Sequence, residues 1–243
     1  MKKYGYLVLV LFALIISGCF FPTRTTRVIG SGELATESRN VSNFSAVELS
    51  GVGTLIIEQG DQESLAITAE ENLIEYLRSD VQGKNLRLGV REFVSIDPRE
   101  SIIYRLTVKN LEKLETSGLG NVEISELTTQ IMDLEISGSG NVDIDDLQAE
   151  SFSLQVSGLG NIDISGKVAS QRVDLSGAGN YNAEELFSQE AKIRISGTGR
   201  AIVWAEEQLD VEISGMGSLN YYGSPALNTE MSGAGSIKSL GKK

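Results

Sequence analysis

The sequence predicts an all-β protein whose main part is a parallel β-solenoid, or β-helix, with coils of about 18–20 residues. Three observations support this fold class. The tetrapeptide Ser-Gly-X-Gly recurs at regular spacing, the residues that flank it alternate between apolar and polar, and no segment after Ser117 has a helical period. Because so short a repeat cannot bury its apolar face alone, we expect successive coils to stack and share one core.

The Ser-Gly-X-Gly motif sets the length of the coils. It occurs eight times, and from the second copy onwards the copies begin 20, 20, 19, 20, 18 and 18 residues apart. The copies contain 16 of the 26 glycines, so the glycine excess marks coil corners and not flexible segments. A glycine that points inward at a corner leaves room for the turn and permits a positive φ. The copies begin at Ser50, Ser117, Ser137, Ser157, Ser176, Ser196, Ser214 and Ser232.

Strands flank each motif copy. Residues 134–136 (Leu-Glu-Ile) precede the third copy and residues 141–144 (Asn-Val-Asp-Ile) follow it, and this period-two alternation predicts strands with one buried face. A third apolar position recurs in each repeat. The same parity places Ser137, Ser139 and Asn141 on the outside. Since a corner can interrupt the alternation, the sequence leaves open whether the variable residue of the motif points in or out.

Stacking predicts columns of equivalent outward side chains, about 4.8 Å apart, and these columns form the candidate ligand-binding surface. The carboxylates among them are similar to those of the calcium-binding β-rolls, which use a nonapeptide repeat. Here the acid stands one position later and the period is about 20 residues, so we expect no metal site and no cofactor. The predicted binding residues are Asn121, Asn141, Asn161, Asp143 and Asp163.

Residues 28–116 fit the repeat less well than residues 117–243, and we predict that they form an N-terminal β segment covering one end of the solenoid. The first two motif copies begin 67 residues apart, which corresponds to about three coils without the motif. The sequence leaves open whether 54–116 forms true coils. Residues 71–77 are predicted as a short helical turn. At the other end, lysines on an exposed edge discourage end-to-end stacking, and the last strands carry Lys238, Lys242 and Lys243.

The first 18 residues are predicted to be a secretory signal peptide. A basic start is followed by an apolar run over residues 4–16, which is shorter than the roughly 20 residues of a membrane-spanning helix. Residues 14–19 (Leu-Ile-Ile-Ser-Gly-Cys) resemble the lipobox of bacterial lipoproteins. That resemblance implies cleavage before Cys19 and acylation of this cysteine, with palmitate as an expected acyl group. The membrane is thus an expected partner, and residues 19–27 form a tether. Phe20 favours the outer membrane, because the inner-membrane retention signal known for enteric bacteria has Asp at this position.

Several short motifs together resemble one protein family. Residues 30–32 (Gly-Ser-Gly), 50–53 (Ser-Gly-Val-Gly), 58–61 (Glu-Gln-Gly-Asp) and 70–73 (Glu-Glu-Asn-Leu) precede the serial Ser-Gly-X-Gly-Asn repeats. This arrangement, over residues 28–235, is similar to the putative auto-transporter adhesin head GIN domain family. The resemblance implies a right-handed β-solenoid on exported, often lipid-anchored, envelope proteins. It supplies no catalytic or binding residues.

Composition excludes several classes of function. The chain has no histidine, which removes imidazole bases and Ser-His-Asp or Cys-His nucleophiles, and one cysteine cannot build a structural zinc site. A formal net charge of −12 gives no attraction for nucleic acid. A β-helix enzyme acting on polysaccharides could use carboxylates alone, but coils that differ by two residues provide no long loops for a cleft. Arg200 and Trp204 share one coil and could contact a sugar.

These observations lead to a functional prediction. We expect a non-catalytic, lipid-anchored protein of the bacterial cell envelope whose solenoid is an adhesin-like binding surface for a glycan, another envelope protein or a host surface. Two alternatives stay open: a structural or accessory envelope lipoprotein without its own ligand, and a β-helix enzyme that acts on polysaccharides.

Overall fold

The computed structural model describes residues 25–243, which are almost entirely β-structure. One short helix, α1 (Glu71–Ile74), interrupts the strands, and it is shorter than the predicted turn over 71–77 because Leu77 already begins a strand. The strands are β1 (Thr26–Ile29), β2 (Leu34–Arg39), β3 (Ala46–Gln59), β4 (Ser64–Glu70), β5 (Leu77–Gln82), β6 (Asn85–Val90), β7 (Val94–Asp97), β8 (Ile103–Val108), β9 (Lys113–Ile124), β10 (Leu127–Ile136), β11 (Val142–Val156), β12 (Asn161–Leu175), β13 (Asn180–Ile195), β14 (Arg200–Ile213), β15 (Ser218–Tyr222), β16 (Ala226–Met231) and β17 (Ser236–Gly241).

The strands from β9 onwards stack as parallel coils. Val142 pairs with Ile162 and Leu154 pairs with Val173, so equivalent residues of neighbouring repeats lie side by side. The same parallel pairing joins β12 to β13, β13 to β14, and β14 to both β15 and β16. Parallel strands joined by short corners into stacked turns define a β-solenoid, so the fold class predicted from the sequence is confirmed.

The core lies inside the coils and follows the predicted alternation. In one repeat, Leu134, Ile136, Val142 and Ile144 are all at most 2% exposed. Burial of such side chains is the main favourable term in folding, and here each repeat contributes it at the same inward positions. The third apolar position of each repeat is also buried, at Leu127, Leu147, Val168 and Leu186.

The N-terminal segment forms one further coil and an antiparallel cap. Most of β3 stacks on β9. On the other side of β3, β6 pairs with residues 46–50 and β8 with residues 54–59, both in parallel, so β6 and β8 make one coil without the motif. The antiparallel strands β5, β4 and β2 then end the stack. Residues 54–116 therefore contain one motif-free coil and not three, because antiparallel strands connect through short turns and make no circuit, and this answers the question that the sequence left open.

Strands β1 and β7 form a small separate sheet that a buried carboxylate fastens to the cap. Glu70 accepts hydrogen bonds from the backbone N–H groups of Gly32 at 2.6 Å, Arg99 at 2.9 Å and Glu100 at 3.4 Å. Burial acts to raise the pKa of Glu70, but these donors and the charge of Arg99 outweigh it and hold the pKa below its ordinary value. The ionised group therefore stabilises the fold above its ordinary pKa, and this contribution is lost as the pH falls through the lowered pKa.

The motif glycines are required by the close approach of neighbouring coils. A Cβ built on Gly158 would collide with the carbonyl oxygen of Gly138, because each motif lies directly on the motif of the preceding coil. Among the motif glycines, a positive φ occurs only in the first two copies, at Gly51, Gly53 and Gly118. The expectation that these glycines serve a positive φ at the corners is correct only there. In the later copies glycine is needed because a Cβ would collide with the backbone of the preceding coil.

The two ends of the stack differ. The antiparallel cap covers the first coil, whereas Leu227 and Met231 in β16 are exposed although they stand in register with buried residues of β14. The predicted position on the last strands is correct for Lys238, which lies in β17, while Lys242 follows that strand. The prediction is wrong for Lys243, because its ammonium group turns back onto a side wall of the solenoid, where it finds carbonyl and aromatic partners.

Candidate binding surface

The predicted asparagine column is present, and its members bind one another. The backbone N–H of Asn141 donates to Oδ1 of Asn121 at 3.0 Å, and the backbone N–H of Asn161 donates to Oδ1 of Asn141 at 3.2 Å. Nδ2 of Asn180 donates to Oδ1 of Asn161 at 2.9 Å. The side chains thus form an exposed ladder along the solenoid, and their mutual bonds hold each rung in place.

An acidic column runs beside the asparagines. Asp143 pairs with Glu123 on one side and with Asp163 on the other. Partial burial and the charges of Asp163, Glu123 and Asp145 raise the pKa of Asp143. Ionised Asp143 therefore costs stability at neutral pH, and a proton or hydrogen-bond donors would relieve this cost. In the next coil Asn182 takes the position and donates to Oδ1 of Asp163 at 2.9 Å.

The two columns bring all the predicted binding residues to one surface. We call this surface the ladder wall and define it by Asn121, Asn141, Asn161, Glu123, Asp143 and Asp163.

In the copies from Ser117 onwards the variable residue of the motif points outward, which answers the question that the sequence left open, whereas Val52 of the first copy packs against the core. Leu119, Leu159 and Met216 are 67%, 57% and 69% exposed. The alternation of inward and outward residues therefore continues through the corner. These side chains form an apolar ridge beside the ladder wall, and smaller residues, Ser139 and Thr198, interrupt it.

A shallow groove on the other side of the ridge was not predicted. It has a volume of about 430 Å³ and runs along the solenoid between the motif serines and a column of acids that includes Glu115, Glu135 and Asp174. Lys113 pairs with Glu135 at 3.0 Å, and Arg194 lies 3.8 Å from Asp174, so basic side chains balance part of the charge. The signal was present in the sequence, because each acid stands two residues before a motif serine.

Arg200 and Trp204 do not form one site. Arg200 pairs with Asn180 and continues the asparagine column into the next coil. Trp204 lies four residues further along and pairs with Phe187 and Tyr222, so it belongs to an aromatic column on a different part of the coil. The two residues share a coil but face different surroundings.

Among residues 25–243, no group of three or more acidic side chains is arranged to hold a metal ion, and no helix is long and apolar enough to cross a membrane. Cys19 and the predicted signal peptide, residues 1–18, lie outside the described residues. Of the predicted tether, residues 19–27, Thr26 and Arg27 lie in β1 and pair with residues of β7.

A capped parallel solenoid with continuous columns of repeated side chains on its walls defines the class of this protein as a repeat-built β-solenoid. The family described as "Putative auto-transporter adhesin, head GIN domain" has a sequence model that matches residues 43–225. The chain belongs to this family, as its motifs predicted.

Three solved structures are similar to the described fold. A putative adhesin from Bacteroides fragilis is 26% identical with a TM-score of 0.84, over 88% of this chain and 100% of that one. A putative lipid binding protein from Parabacteroides distasonis is 25% identical with a TM-score of 0.76, with the same coverage. A putative adhesin from Parabacteroides merdae, 23% identical with a TM-score of 0.72 over 88% and 99% of the chains, supports the fold alone.

One curated relative is an enzyme. A stretch of 108 residues, 44% of this chain, is 25% identical to part of anthranilate phosphoribosyltransferase from Streptomyces griseus. The chain spans 29% of the length of that enzyme. Because the match covers less than a third of the enzyme, its phosphoribosyl transfer is not carried over to this chain.

Proposed function

We propose that the chain is a non-catalytic binding protein of the bacterial cell envelope, anchored by lipid at Cys19, and that its ladder wall binds a glycan. The observation that carries the proposal is the in-register repetition of the same polar side chains on successive coils. A polymer with a repeating unit can meet equivalent groups at each step along such a wall. The names of the similar structures, adhesins and a lipid binding protein, support a binding role.

The chemistry of the ladder wall suits a ligand rich in hydroxyl groups. Glu123, Asp143 and Asp163 present carboxylate oxygens, which accept hydrogen bonds from hydroxyl donors. Such donors would also offset the repulsion that contributes to the raised pKa of Asp143. Because the asparagines hold one another in place, binding would immobilise few additional side chains.

The non-catalytic part of the proposal rests on the regularity of the coils. Catalytic residues are usually carried by loops on a rigid scaffold. Here the motif copies from Ser117 onwards begin 18 to 20 residues apart, so the coils have short corners of nearly constant length. A wall of this kind presents a surface to a partner and does not enclose a substrate.

The ladder wall gives a direct prediction. The double variant Asn141→Ala/Asn161→Ala is expected to weaken retention on a glycan array by about tenfold, because two rungs lose their hydrogen-bonding groups, worth about 1.4 kcal/mol together. Retention is measured at matched protein concentration. The control is Asn228→Ala, the same change at an exposed asparagine of β16 outside the ladder wall, and it should bind as the unmodified chain does.

Three results would contradict this function. Unchanged retention of the double variant, with Asn228→Ala as the reference, would remove the ladder wall from the binding site. Failure to bind any glycan, together with an altered envelope on deletion, would favour a structural or accessory protein. Turnover of a polysaccharide that is lost when one acid is changed would establish an enzyme.

The lipid anchor has its own test. Cys19→Ser is expected to release the protein from membranes, because acyl chains on this residue supply the anchor and a serine at this position has no thiol to accept them. Fractionation of cells into inner membrane, outer membrane and soluble fractions measures the effect, and the unmodified chain is expected in the outer membrane. The control is Ser31→Ala, which changes a serine beyond the predicted tether. Retention of Cys19→Ser in membranes would disprove the anchor.

A further inference from the structure

Three aromatic side chains stack on successive coils away from the ladder wall. Phe187 pairs with Trp204, and Trp204 pairs with Tyr222, in the parallel register. The ring centroids of Phe187 and Trp204 lie 5.1 Å apart with the ring planes at 88°, an edge-to-face contact. All three side chains are half-buried. They form an aromatic column that the proposed glycan site does not use.

The side chain of Lys243 reaches into this column. Its Nζ lies 5.4 Å from the ring centroid of Trp204 and 5.3 Å from that of Tyr222. The same Nζ donates to the carbonyl oxygen of Glu184 at 2.7 Å and pairs with the carboxylate of Glu185. Two rings, one carbonyl and one carboxylate thus surround a single ammonium group. We call these four partners the ammonium cage.

The ammonium cage is built by the solenoid and not by Lys243. Glu184 and Glu185 lie in β13, Trp204 in β14 and Tyr222 in β15, so three stacked coils position its four groups. A cation–π contact or an exposed ion pair is weak alone, but here both act on one atom together with a charge-assisted hydrogen bond. The parallel pairing of Trp204 with Tyr222 would keep the two rings together if Lys243 left, whereas Glu184 and Glu185 lie in the unpaired stretch of β13 between Ala183 and Phe187.

We infer that the ammonium cage binds a lysine side chain of a partner protein, and that Lys243 fills it when no partner is bound. The carbonyl oxygen of Glu184 accepts an N–H donor, which a primary ammonium supplies and a quaternary ammonium lacks. The present occupant is itself a lysine, so the length and the methylene stem of this side chain fit the cage. The inference goes beyond the proposed glycan site, because it concerns a different column and a different ligand chemistry.

Lys243 competes with an external lysine for the cage. Only Lys242 separates it from the end of β17 at Gly241, so its effective concentration is of the order of millimolar or higher. A single external lysine should bind with a dissociation constant that is also about millimolar, given the few contacts available. Removal of the Lys243 side chain should therefore strengthen binding of an external lysine by about threefold or more.

The test uses the fluorescence of Trp204, which is the only tryptophan of the chain. Nα-acetyl-lysine amide is titrated into the full chain and into Lys243→Ala. We expect a saturable change in Lys243→Ala with a dissociation constant of about 1–10 mM, and binding about threefold or more weaker in the unmodified chain. Nα-acetyl-norleucine amide, which lacks the ammonium group, should produce no saturable change in either protein.

Two matched variants locate the site. Lys243→Ala/Glu185→Gln removes the carboxylate of the cage and is expected to bind the lysine amide about threefold or more weakly than Lys243→Ala. Lys192→Ala, at an exposed lysine outside the cage, should behave as the unmodified chain does. The inference is overturned if the norleucine amide binds equally well or if Glu185→Gln leaves the affinity unchanged. Binding of tetramethylammonium or phosphatidylethanolamine vesicles without binding of the lysine amide would overturn it as well.

Discussion

Gly158→Ala is expected to lower the free energy of unfolding by about 3 kcal/mol, because a methyl group has no room between two stacked motifs. Its Cβ would collide with the carbonyl oxygen of Gly138, to which the backbone N–H of Leu159 donates a hydrogen bond at 3.0 Å. The two coils can separate only by weakening such bonds. Urea unfolding followed by circular dichroism measures the change in free energy.

The control for Gly158→Ala is the same substitution at a motif glycine with more space. A Cβ on Gly179 would lie 3.1 Å from the carbonyl oxygen of Gly160 and 3.2 Å from Cγ1 of Val156, so small shifts can accommodate it. Gly179→Ala is expected to cost about 1 kcal/mol or less, since stiffening of the unfolded chain offsets part of the strain. Equal costs at the two glycines would show that coil spacing is not the reason for glycine.

Gln171→Leu is expected to cost about 2 kcal/mol of unfolding free energy, because it breaks a hydrogen-bond network inside the solenoid. The hydroxyl of Tyr181 donates to Oε1 of Gln171 at 2.9 Å, and Nε2 of Gln171 donates to Oγ of Ser188 at 2.9 Å. Ser188 donates onwards to the carbonyl oxygen of Trp204 at 2.7 Å. Burial raises the pKa of Tyr181, which keeps its phenol protonated as a donor. Without Gln171, that donor is buried with no acceptor.

A double-mutant cycle separates this effect from a loss of packing. Gln171→Leu/Tyr181→Phe is expected to cost about 1–2 kcal/mol less than the sum of the two single changes, because neither partner is then left unpaired. The control is Tyr104→Phe, since the buried hydroxyl of Tyr104 has no hydrogen-bond partner among residues 25–243. That variant is expected to be neutral or stabilising by up to about 1 kcal/mol. Strict additivity in the cycle would argue against the network.

The ladder wall could be predicted because it follows directly from the repeat. Asn121, Asn141 and Asn161 are 20 residues apart, so stacking of equal coils aligns them, and the alternation places them outside. What the repeat could not predict is that their side-chain oxygens accept hydrogen bonds from the next coil. Those bonds depend on rotamers and on the distance between coils, and neither quantity is encoded in the period.

The aromatic column could not be predicted, because its coils have unequal registers. Ala183 pairs with Val203, but a few residues later Phe187 pairs with Trp204, so extra residues of β13 bulge out between the two pairs. The sequence separation of Phe187 and Trp204 is therefore shorter than the 18 to 20 residues between motif copies. Lys243 joins these rings only because the chain after β17 turns back onto this wall.

The sequence by itself determined that the chain is a solenoid, where its coils turn and which residues fill its core, because these features depend only on the period of the motif and on parity along each strand. The tertiary structure decided how the stack ends, since antiparallel pairing in the cap joins residues with no common period. It also decided the ammonium cage, because Glu185, Trp204, Tyr222 and Lys243 meet only after three coils have stacked around a bulge.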